Sequence, residues 1–475
     1  MTRSVLPLIA VAAAAALTAC ADSPVQPTPG LVPTPTLSVS AANRYVVDFN
    51  GPASNDLASR VAALGGTVDF IAANAGFAGV SGLSAQAAAA LGRAPGVKAV
   101  FDDVAVQLDA TSTTDELAAA DAVPMSIANP AGGIRYSFQW NMRAIGANTA
   151  WAAGNLGAAT VTAAILDSGI DYDSYDMNGM VDLARSTSFA TGDNAIINAF
   201  FPGRNALDDL NGHGTNVATQ VSSNATIFAG VNSRARLIGV KVLGASGSGT
   251  LGGILAGIIW AADHGADVAN MSVGIRNGVD KAGNGLFVGL TNRVFNYAHR
   301  AGMVVVVASG NDGQNLDDNG RNYAAYCEAP HVICVSATGP TASTNAFSGP
   351  WTDVDAGASY SNTGRKSVTV SAPGGSNRGW VASVCARHRA AVSGNTIVFP
   401  CNVPPGFFAA IGMAGTSQAA PHVTGVVAQM IAKYGKMQPS QLKQMLLDSL
   451  DDLGPPGPDD VYGAGRVNLV KALSH

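Results

Sequence analysis

The sequence predicts an α/β protein with a mainly parallel central sheet in a three-layer arrangement, preceded by a small ferredoxin-like α+β domain. Three observations support this. Beyond residue 135, short β-branched runs alternate with helical stretches, as in a parallel sheet covered on both faces. Residues 44–108 follow another order: strand, helix, strand, strand, helix, strand. The chain is 47% hydrophobic and 12% charged, with 55 glycines, which suits a large buried core with many tight turns.

The first nineteen residues are predicted to be a signal peptide rather than part of the fold. Arg3 precedes an apolar run, 5–19, that is short for a membrane span but typical of a signal core. Its end resembles a bacterial lipobox, because small residues stand directly before Cys20. We therefore expect lipidation at Cys20, with an ordinary signal peptide as the alternative. Residues 20–43, rich in proline, read as an extended tether.

The next segment, 44–109, is predicted to be a separate small domain. Its expected strands are 45–49, 67–72, 76–80 and 97–108, and its expected helices are 55–64 and 84–91. It contains neither histidine nor cysteine, so we expect no chemistry of its own.

A polar, proline-containing linker is predicted for 110–134, followed by a main domain over 135–475. The main domain's expected strands are 161–167, 237–243, 268–273, 303–309 and 331–337. Helical spacing is seen at 216–222, 253–264 and 290–300.

Three motifs in the main domain carry chemistry. Asp167 ends an apolar strand in Ala-Ile-Leu-Asp-Ser-Gly, His213 lies between glycines before a helix, and Ser417 opens an alanine-rich helix in Gly-Thr-Ser. Histidine can take a proton from serine near neutral pH, and a buried carboxylate can hold the imidazole in the required tautomer. Each motif alone is weak, but the three together, in the order Asp, His, Ser, indicate a catalytic triad.

With these motifs the chain resembles the subtilisin-like serine protease family. Residues 304–311 read VVVVASGN, and the resemblance implies that the Asn311 amide donates to the oxyanion together with the backbone N–H of Ser417. It further implies that two segments flank a bound peptide: Gly247, Ser248 and Gly249, and Ser272, Val273 and Gly274. Residues 44–109 look like the family's inhibitory propeptide, and 140–151 like the start of the mature enzyme. The implied activity is a serine endopeptidase made as an autoinhibited zymogen, whose processing site lies in the linker.

The chain departs from the family pattern at several places. Asn216 stands where the family usually has histidine, and we expect only a local change of packing there. Segments 274–292 and 378–405 are longer than usual and can reshape the substrate groove. Asp176 falls where some members have a calcium ligand, but the partner loop near 224–230 looks shortened, so calcium is an open possibility.

The composition indicates which disulfides, partners and cofactors to expect. Four cysteines follow Cys20, and an even number in an exported chain suggests two disulfides; we favour Cys327–Cys334 and Cys385–Cys401, each of which closes a short loop. The formal net charge of −5 gives no indication of a nucleic-acid partner, and the seven histidines are scattered. We expect no required cofactor, protein or peptide substrates, a monomer, and a cell-envelope lipoprotein or an extracellular enzyme after processing.

Two other functions remain open at this point. Residues 247–252 fit Gly-x-Gly-x-x-Gly between a strand and a helix, with Asp267 further on, which is the context of a dinucleotide site. Alternatively, the chain is a catalytically dead pseudoprotease that binds peptides. Nicotinamide binding and labelling by a serine-directed probe would discriminate.

Overall fold

A computed structural model describes residues 43–108, 127–274, 279–282, 284–318, 320, 322–323, 325–393 and 396–475, and the backbone of 114–119. The predicted signal peptide, Cys20 and the tether lie outside these residues. All described residues belong to one unit, Thr36–His475. No helix in the described part of the chain is both long and apolar enough to cross a membrane.

The first domain has the element order predicted for a ferredoxin-like plan. It contains β1 (Arg44–Phe49), α1 (Leu57–Ala63), β2 (Thr67–Ala72), β3 (Phe77–Ser81), α2 (Ala85–Leu91) and β4 (Val97–Asp102). The four strands form a sheet in the order β2-β3-β1-β4. Its core joins side chains of the sheet and of both helices, among them Val47, Val61 and Leu91.

The prediction of one continuous strand over 97–108 is wrong in one respect, because the structure divides this segment into two strands. After β4 the chain turns at Asp103, and β5 (Ala105–Gln107) pairs instead with β10 (Ser248–Thr250) of the main domain. The Asp103 carboxylate accepts a hydrogen bond from the Gly252 N–H at 2.7 Å, which holds the turn against a helix start. A continuous apolar pattern does not reveal this change of partner.

The main domain is built on seven parallel strands. They are β7 (Thr162–Asp167), β8 (Thr187–Ser188), β9 (Arg236–Lys241), β11 (Val268–Met271), β13 (Val304–Ala308), β15 (Ile333–Thr338) and β18 (Val370–Pro373). Their order in the sheet is β18-β15-β13-β11-β7-β9-β8, and every pairing is parallel. The strands are almost wholly buried, as expected for a sheet covered on both faces.

Helices cover both faces, which gives the predicted three layers. The helices are α3 (Trp140–Ala144), α4 (Ala147–Ala152), α5 (Asn194–Phe200), α6 (His213–Val221), α7 (Leu251–Asp263), α8 (Gly285–Arg300), α9 (Thr416–Tyr434), α10 (Pro439–Leu447) and α11 (Leu469–Ala472). Ala163 and Ile165 join the core beneath α6 and α9, whereas Ala164 and Leu166 join the core beneath α7 and α8. Successive side chains of β7 therefore point to opposite faces of the sheet, as in any pleated strand.

A second, three-stranded sheet lies beside the main one. It contains β19 (Val381–Val384), β22 (Phe407–Met413) and β6 (Thr114–Ala119), in the order β19-β22-β6. Thus six residues of the expected linker form a strand. The remaining strands are short: β12 (Val279–Asp280), β14 (Asn322–Tyr323), β16 (Ala342–Ser343), β17 (Trp351–Thr352), β20 (Ala391–Ser393) and β21 (Thr396–Val398). The structure contains the disulfides Cys327–Cys334 and Cys385–Cys401, the two pairings favoured by the sequence.

Candidate active site

The three residues predicted as a triad lie on elements that meet at one edge of the main sheet. Asp167 is the last residue of β7, His213 is the first of α6, and Ser417 is the second of α9. Carboxyl ends of parallel strands share an edge, which is where open α/β sheets place their sites. The helices α6 and α9 pack against each other, so the histidine and the serine start neighbouring helices.

Asp167 and His213 form a buried hydrogen-bonded pair. The Nδ1 of His213 lies 2.8 Å from Oδ1 of Asp167, and the two residues are 2% and 0% exposed. Because an ionised carboxylate only accepts, Nδ1 carries the proton and Nε2 is the basic nitrogen. Gly214 allows α6 to pack this closely against the end of β7, because a Cβ on Gly214 would lie 2.1 Å from the carbonyl oxygen of Gly169.

Ser417 is held at the start of a helix that is itself tied to the end of β11. Its hydroxyl donates to the carbonyl oxygen of Ser272 at 3.2 Å, and the Ser272 hydroxyl donates to the carbonyl oxygen of Ser417 at 2.7 Å. The second bond is available because Pro421, four residues on, has no N–H to donate to that carbonyl. Catalytic hydrogen bonds often tighten only when substrate is bound, so this contact of the Ser417 hydroxyl is compatible with a catalytic role.

Asn311 lies directly beside the serine helix. Its side-chain oxygen accepts from the backbone N–H of Thr416 at 2.8 Å and from the Thr416 hydroxyl at 3.0 Å. The same hydroxyl accepts from the Gly310 N–H at 3.0 Å. These bonds fix the orientation of the Asn311 amide next to Ser417.

Asn216, the departure from the family pattern, is fully buried and links three elements. Its amide nitrogen donates to the carbonyl oxygen of Val381 and to the hydroxyl of Ser383, at 3.2 and 3.0 Å. Its oxygen accepts from the Gln418 amide at 3.3 Å, next to Ser417. The change is therefore one of local packing, which joins α6 to α9 and to β19.

Asp209 is a buried carboxylate that the sequence reasoning missed. Its Oδ1 accepts from the Ser168 hydroxyl at 2.9 Å and from the Gly212 N–H at 2.8 Å, and its Oδ2 accepts from the Thr215 N–H and hydroxyl. Burial raises the pKa of Asp209. The residue holds the loop before His213 against the loop after Asp167. A carboxylate four residues before the histidine was the available signal.

Lys241 is the second residue that was missed, and it is fully buried. It lies opposite Asp167 in the pairing of β7 with β9. Its ammonium donates to the carbonyl oxygens of Ser168 and Asp208 at 2.7 and 2.8 Å, and it pairs with the Asp193 carboxylate at 2.8 Å. One cation thus holds together three segments around the acid of the predicted triad.

Replacing Lys241 with methionine should lower the free energy of unfolding by about 3–5 kcal/mol, because it leaves the Asp193 carboxylate without its cation. Chemical denaturation of the two proteins measures this. Lys281→Met is the matched control, because Lys281 is 42% exposed in its pair with Glu328 and should cost about 1 kcal/mol or less. Equal losses in the two variants would contradict the organising role of Lys241.

Asp176 does not fit the calcium site that the sequence left open. Its Oδ1 accepts from the Ile227 N–H at 2.8 Å and its Oδ2 from the Phe228 N–H at 3.1 Å. Burial raises its pKa to about 7. Donors therefore face this carboxylate where a cation would need oxygen ligands. Within the described residues, no group of three or more acidic, histidine or cysteine side chains could hold a metal.

The glycine-rich segment 247–252 contacts an extended chain. Val106 of β5 pairs with Gly249, and the Leu108 N–H donates to the Gly247 carbonyl oxygen at 2.9 Å. A Cβ on Gly252 would lie 2.9 Å from the Val46 side chain and 3.0 Å from the Asp103 carboxylate. These glycines therefore allow the backbone of another chain segment to pack closely against them, and we do not assign them to the pyrophosphate of a dinucleotide.

The other predicted peptide-binding segment follows β11. Ser272 is buried and bonded to Ser417 as described above, and Val273 is 2% exposed. Gly274, which is partly exposed, is the last described residue before a gap at 275–278. The structure thus brings both predicted segments to the sheet edge that carries Ser417.

Comparison with known proteins agrees with this architecture. The profile of the subtilase family, Peptidase_S8, matches residues 157–465. Subtilisin DY of Bacillus licheniformis is 31% identical over 283 residues, 58% of this chain and 82% of that protein. Thermitase of Thermoactinomyces vulgaris is 30% identical over 342 residues, 71% of this chain and 97% of that protein.

A solved structure supports the fold. The epidermin leader peptide processing serine protease of Staphylococcus aureus superimposes with a TM-score of 0.67, covering 90% of this chain and 97% of that one, at 21% identity. At that identity the likeness concerns the fold alone. The profile match over most of the main domain decides the family: this chain belongs to the subtilases, a family of serine-type endopeptidases.

Proposed function

We propose that this subtilase is an exported endopeptidase that cuts peptide bonds through an acyl-enzyme, and that it is made as an inhibited zymogen. The observation that carries the catalytic part is the 2.8 Å hydrogen bond between Asp167 and His213, beside the helix that opens with Ser417. The proposed residue roles follow from that geometry.

In the proposed reaction, the Ser417 oxygen attacks the scissile carbonyl while Nε2 of His213 takes the hydroxyl proton. Asp167 keeps Nδ1 protonated and stabilises the imidazolium. The Asn311 amide and the Ser417 N–H hold the oxyanion of the tetrahedral intermediate. His213 then gives its proton to the leaving amine, and an ester forms on Ser417. Water, deprotonated by His213, hydrolyses the ester and restores the serine.

A fluorophosphonate probe tests the proposal directly, because it reacts with an activated serine and not with an ordinary one. The processed protein should be labelled at Ser417 and should lose its peptide-cleaving activity as labelling proceeds. An unlabelled protein that still binds peptides would be a pseudoprotease.

Removing the proposed oxyanion donor should lower kcat by about 10²–10³ with little change in KM, since the donor acts mainly on the transition state. Asn311→Asp keeps an oxygen that accepts from Thr416 but replaces the amide donor with a carboxylate, whose charge also repels the oxyanion. Asn311→Leu removes the donor without adding a charge, and it also loses the acceptor for Thr416; it should lower kcat by about 10²–10³. A kcat within about three-fold of wild type in Asn311→Asp would remove Asn311 from the proposed mechanism.

The inhibitory role proposed for the first domain is supported by the way β5 lies on the enzyme. β5 adds a strand to β10, in the manner of an extended substrate, and the Gln107 amide donates to the Ser246 carbonyl oxygen at 2.8 Å. Elsewhere in the contact between the domains, Arg293 of α8 pairs with the buried Asp48 of β1. We propose that the processing cut lies between Leu108, which follows β5 and still bonds to Gly247, and Thr114, which begins β6.

Inhibition by this domain should weaken as pH rises. Burial against α7 raises the pKa of Asp103 to about 6, above the ordinary value of 3.8 that we expect in the separated domain. The complex therefore binds more protons than its parts between these values, and its affinity falls as pH rises through 4 to 6, by up to about 100-fold. Inhibition constants of the isolated domain measure this. Asp103→Asn should abolish most of the pH dependence, and an unchanged slope in that variant would exclude Asp103 as its source.

Export and lipid anchoring are supported by the sequence and by the disulfides, which persist in oxidising compartments. A Cys20→Ala chain should lose the anchor and appear in the soluble fraction. Recovery of that variant in the membrane fraction would contradict lipidation at Cys20.

A further inference from the structure

One edge of β22 is covered by a segment of the chain's own linker. The Cys385 N–H donates to the Ala409 carbonyl oxygen at 2.7 Å, so the backbone groups of Ala409 face β19. Because backbone groups alternate along a strand, those of Phe408, Ala410 and Gly412 face β6. Their partners in the register are Ala118, Glu116 and Thr114.

The direction of β6 relative to Ser417 is that expected for the part of a bound substrate that follows the scissile bond. β22 runs toward α9, and Met413 at its end is four residues before Ser417. β6 is antiparallel to β22 and therefore runs away from the serine. β5, which precedes the proposed cut in the sequence, pairs instead with β10. Thus the chain before the cut lies on β10, and the chain after it lies on β22.

The edge is made rigid by the long insertion between β19 and β22. The Cys385–Cys401 disulfide ties the end of β19 to the segment before β22, with a Cα–Cα distance of 6.0 Å. Within the loop that this disulfide closes, Ile397 and Phe399 pack against Ile196 and its neighbours in the main domain. A fixed strand edge binds an added strand with less loss of conformational freedom than a mobile one.

We propose that the edge of β22 now covered by β6 is a binding site for the part of a polypeptide substrate that follows the scissile bond, as far as about six to ten residues from the cut. This rests on the proposed protease function. Recognition is through main-chain hydrogen bonds, so the site takes extended, unfolded chains of varied sequence. The linker strand β6 is its first occupant.

The proposal has a consequence for the processed enzyme. After the cut, β6 remains joined to the main domain and competes with incoming chains for β22. Weakening β6 should therefore slow the first, internal cut and speed later cuts in long substrates. General damage to the enzyme would slow both.

Two neighbouring proline substitutions test this. Glu116→Pro removes an N–H that faces β22, whereas Leu117→Pro removes one that faces away from the sheet and serves as the matched control. Glu116→Pro should slow self-processing about five-fold, the effect of one lost hydrogen bond. Once processed, it should cut peptides with ten residues after the scissile bond several-fold faster than wild type, and peptides with two such residues at the wild-type rate. Leu117→Pro should behave as wild type in all three assays.

Equal effects of the two prolines, or a loss of activity on long peptides in Glu116→Pro, would overturn the β22 site. In either case continued cutting of the short peptide by wild type would leave the proposed protease function standing. Failure of wild type to cut the short peptide would instead refute that function.

Discussion

Replacing Ser417 with alanine should lower kcat by about six orders of magnitude, because the variant lacks the oxygen that forms the ester. The chain should also accumulate uncut, with the first domain still joined to the main one. Steady-state cleavage of a peptide and the mass of the purified chain measure the two effects.

Ser336→Ala is a suitable control for this prediction. Ser336 is likewise a buried serine, but it lies on β15 and donates to the Val461 carbonyl oxygen, away from the site. The control should process itself and cut peptide at nearly the wild-type rate. Normal processing of Ser417→Ala would show that another protease makes the cut, and substantial residual peptidase activity would exclude Ser417 as the nucleophile.

Replacing Asp167 with asparagine should lower kcat by about 10⁴ while leaving the fold intact. The side chain keeps its shape, and one oxygen can still accept from the Ser168 N–H, which lies 2.7 Å from Oδ1. The neutral amide loses the negative charge that stabilises the imidazolium, and its weaker acceptor oxygen at the Oδ1 position holds Nδ1–H of His213 less strongly.

The matched control for this change is Asp173→Asn. Asp173 is an exposed carboxylate paired with Arg204, and its loss should change kcat less than about two-fold. Melting curves should show that both variants are folded. A folded Asp167→Asn enzyme with kcat within ten-fold of wild type would mean that His213 is oriented by other groups.

The parts of the site that the sequence predicts are those carried by short contiguous motifs. Asp167, His213 and Ser417 each end or begin an element, and the glycines around them mark places where chains come close. Asn311 is singled out because residues 304–311 resemble a contiguous motif of the family. In these cases local residue types decide the local geometry, so little information about distant contacts is needed.

The parts that it does not predict depend on contacts between distant segments. In the sequence, Lys241 is only a charged residue at the end of a strand. Its partners, the Asp193 carboxylate and two carbonyl oxygens, become visible only in the structure. The turn at Asp103 depends on the start of α7, 149 positions away. β6 exists because β22, nearly 300 residues further along, has a vacant edge in the sheet. No pattern within the linker encodes such a partner.

The pairing of β5 with β10 has a consequence for how the two domains can diverge during evolution. The N–H of Leu108 faces β10, and alternation places that of Val106 on the same side. A substitution at these positions preserves the main-chain bonds unless it introduces proline. Along this strand pair, the first domain and the main domain can therefore change in sequence separately, so the closing strand of a distant homologue's first domain should still pair with β10.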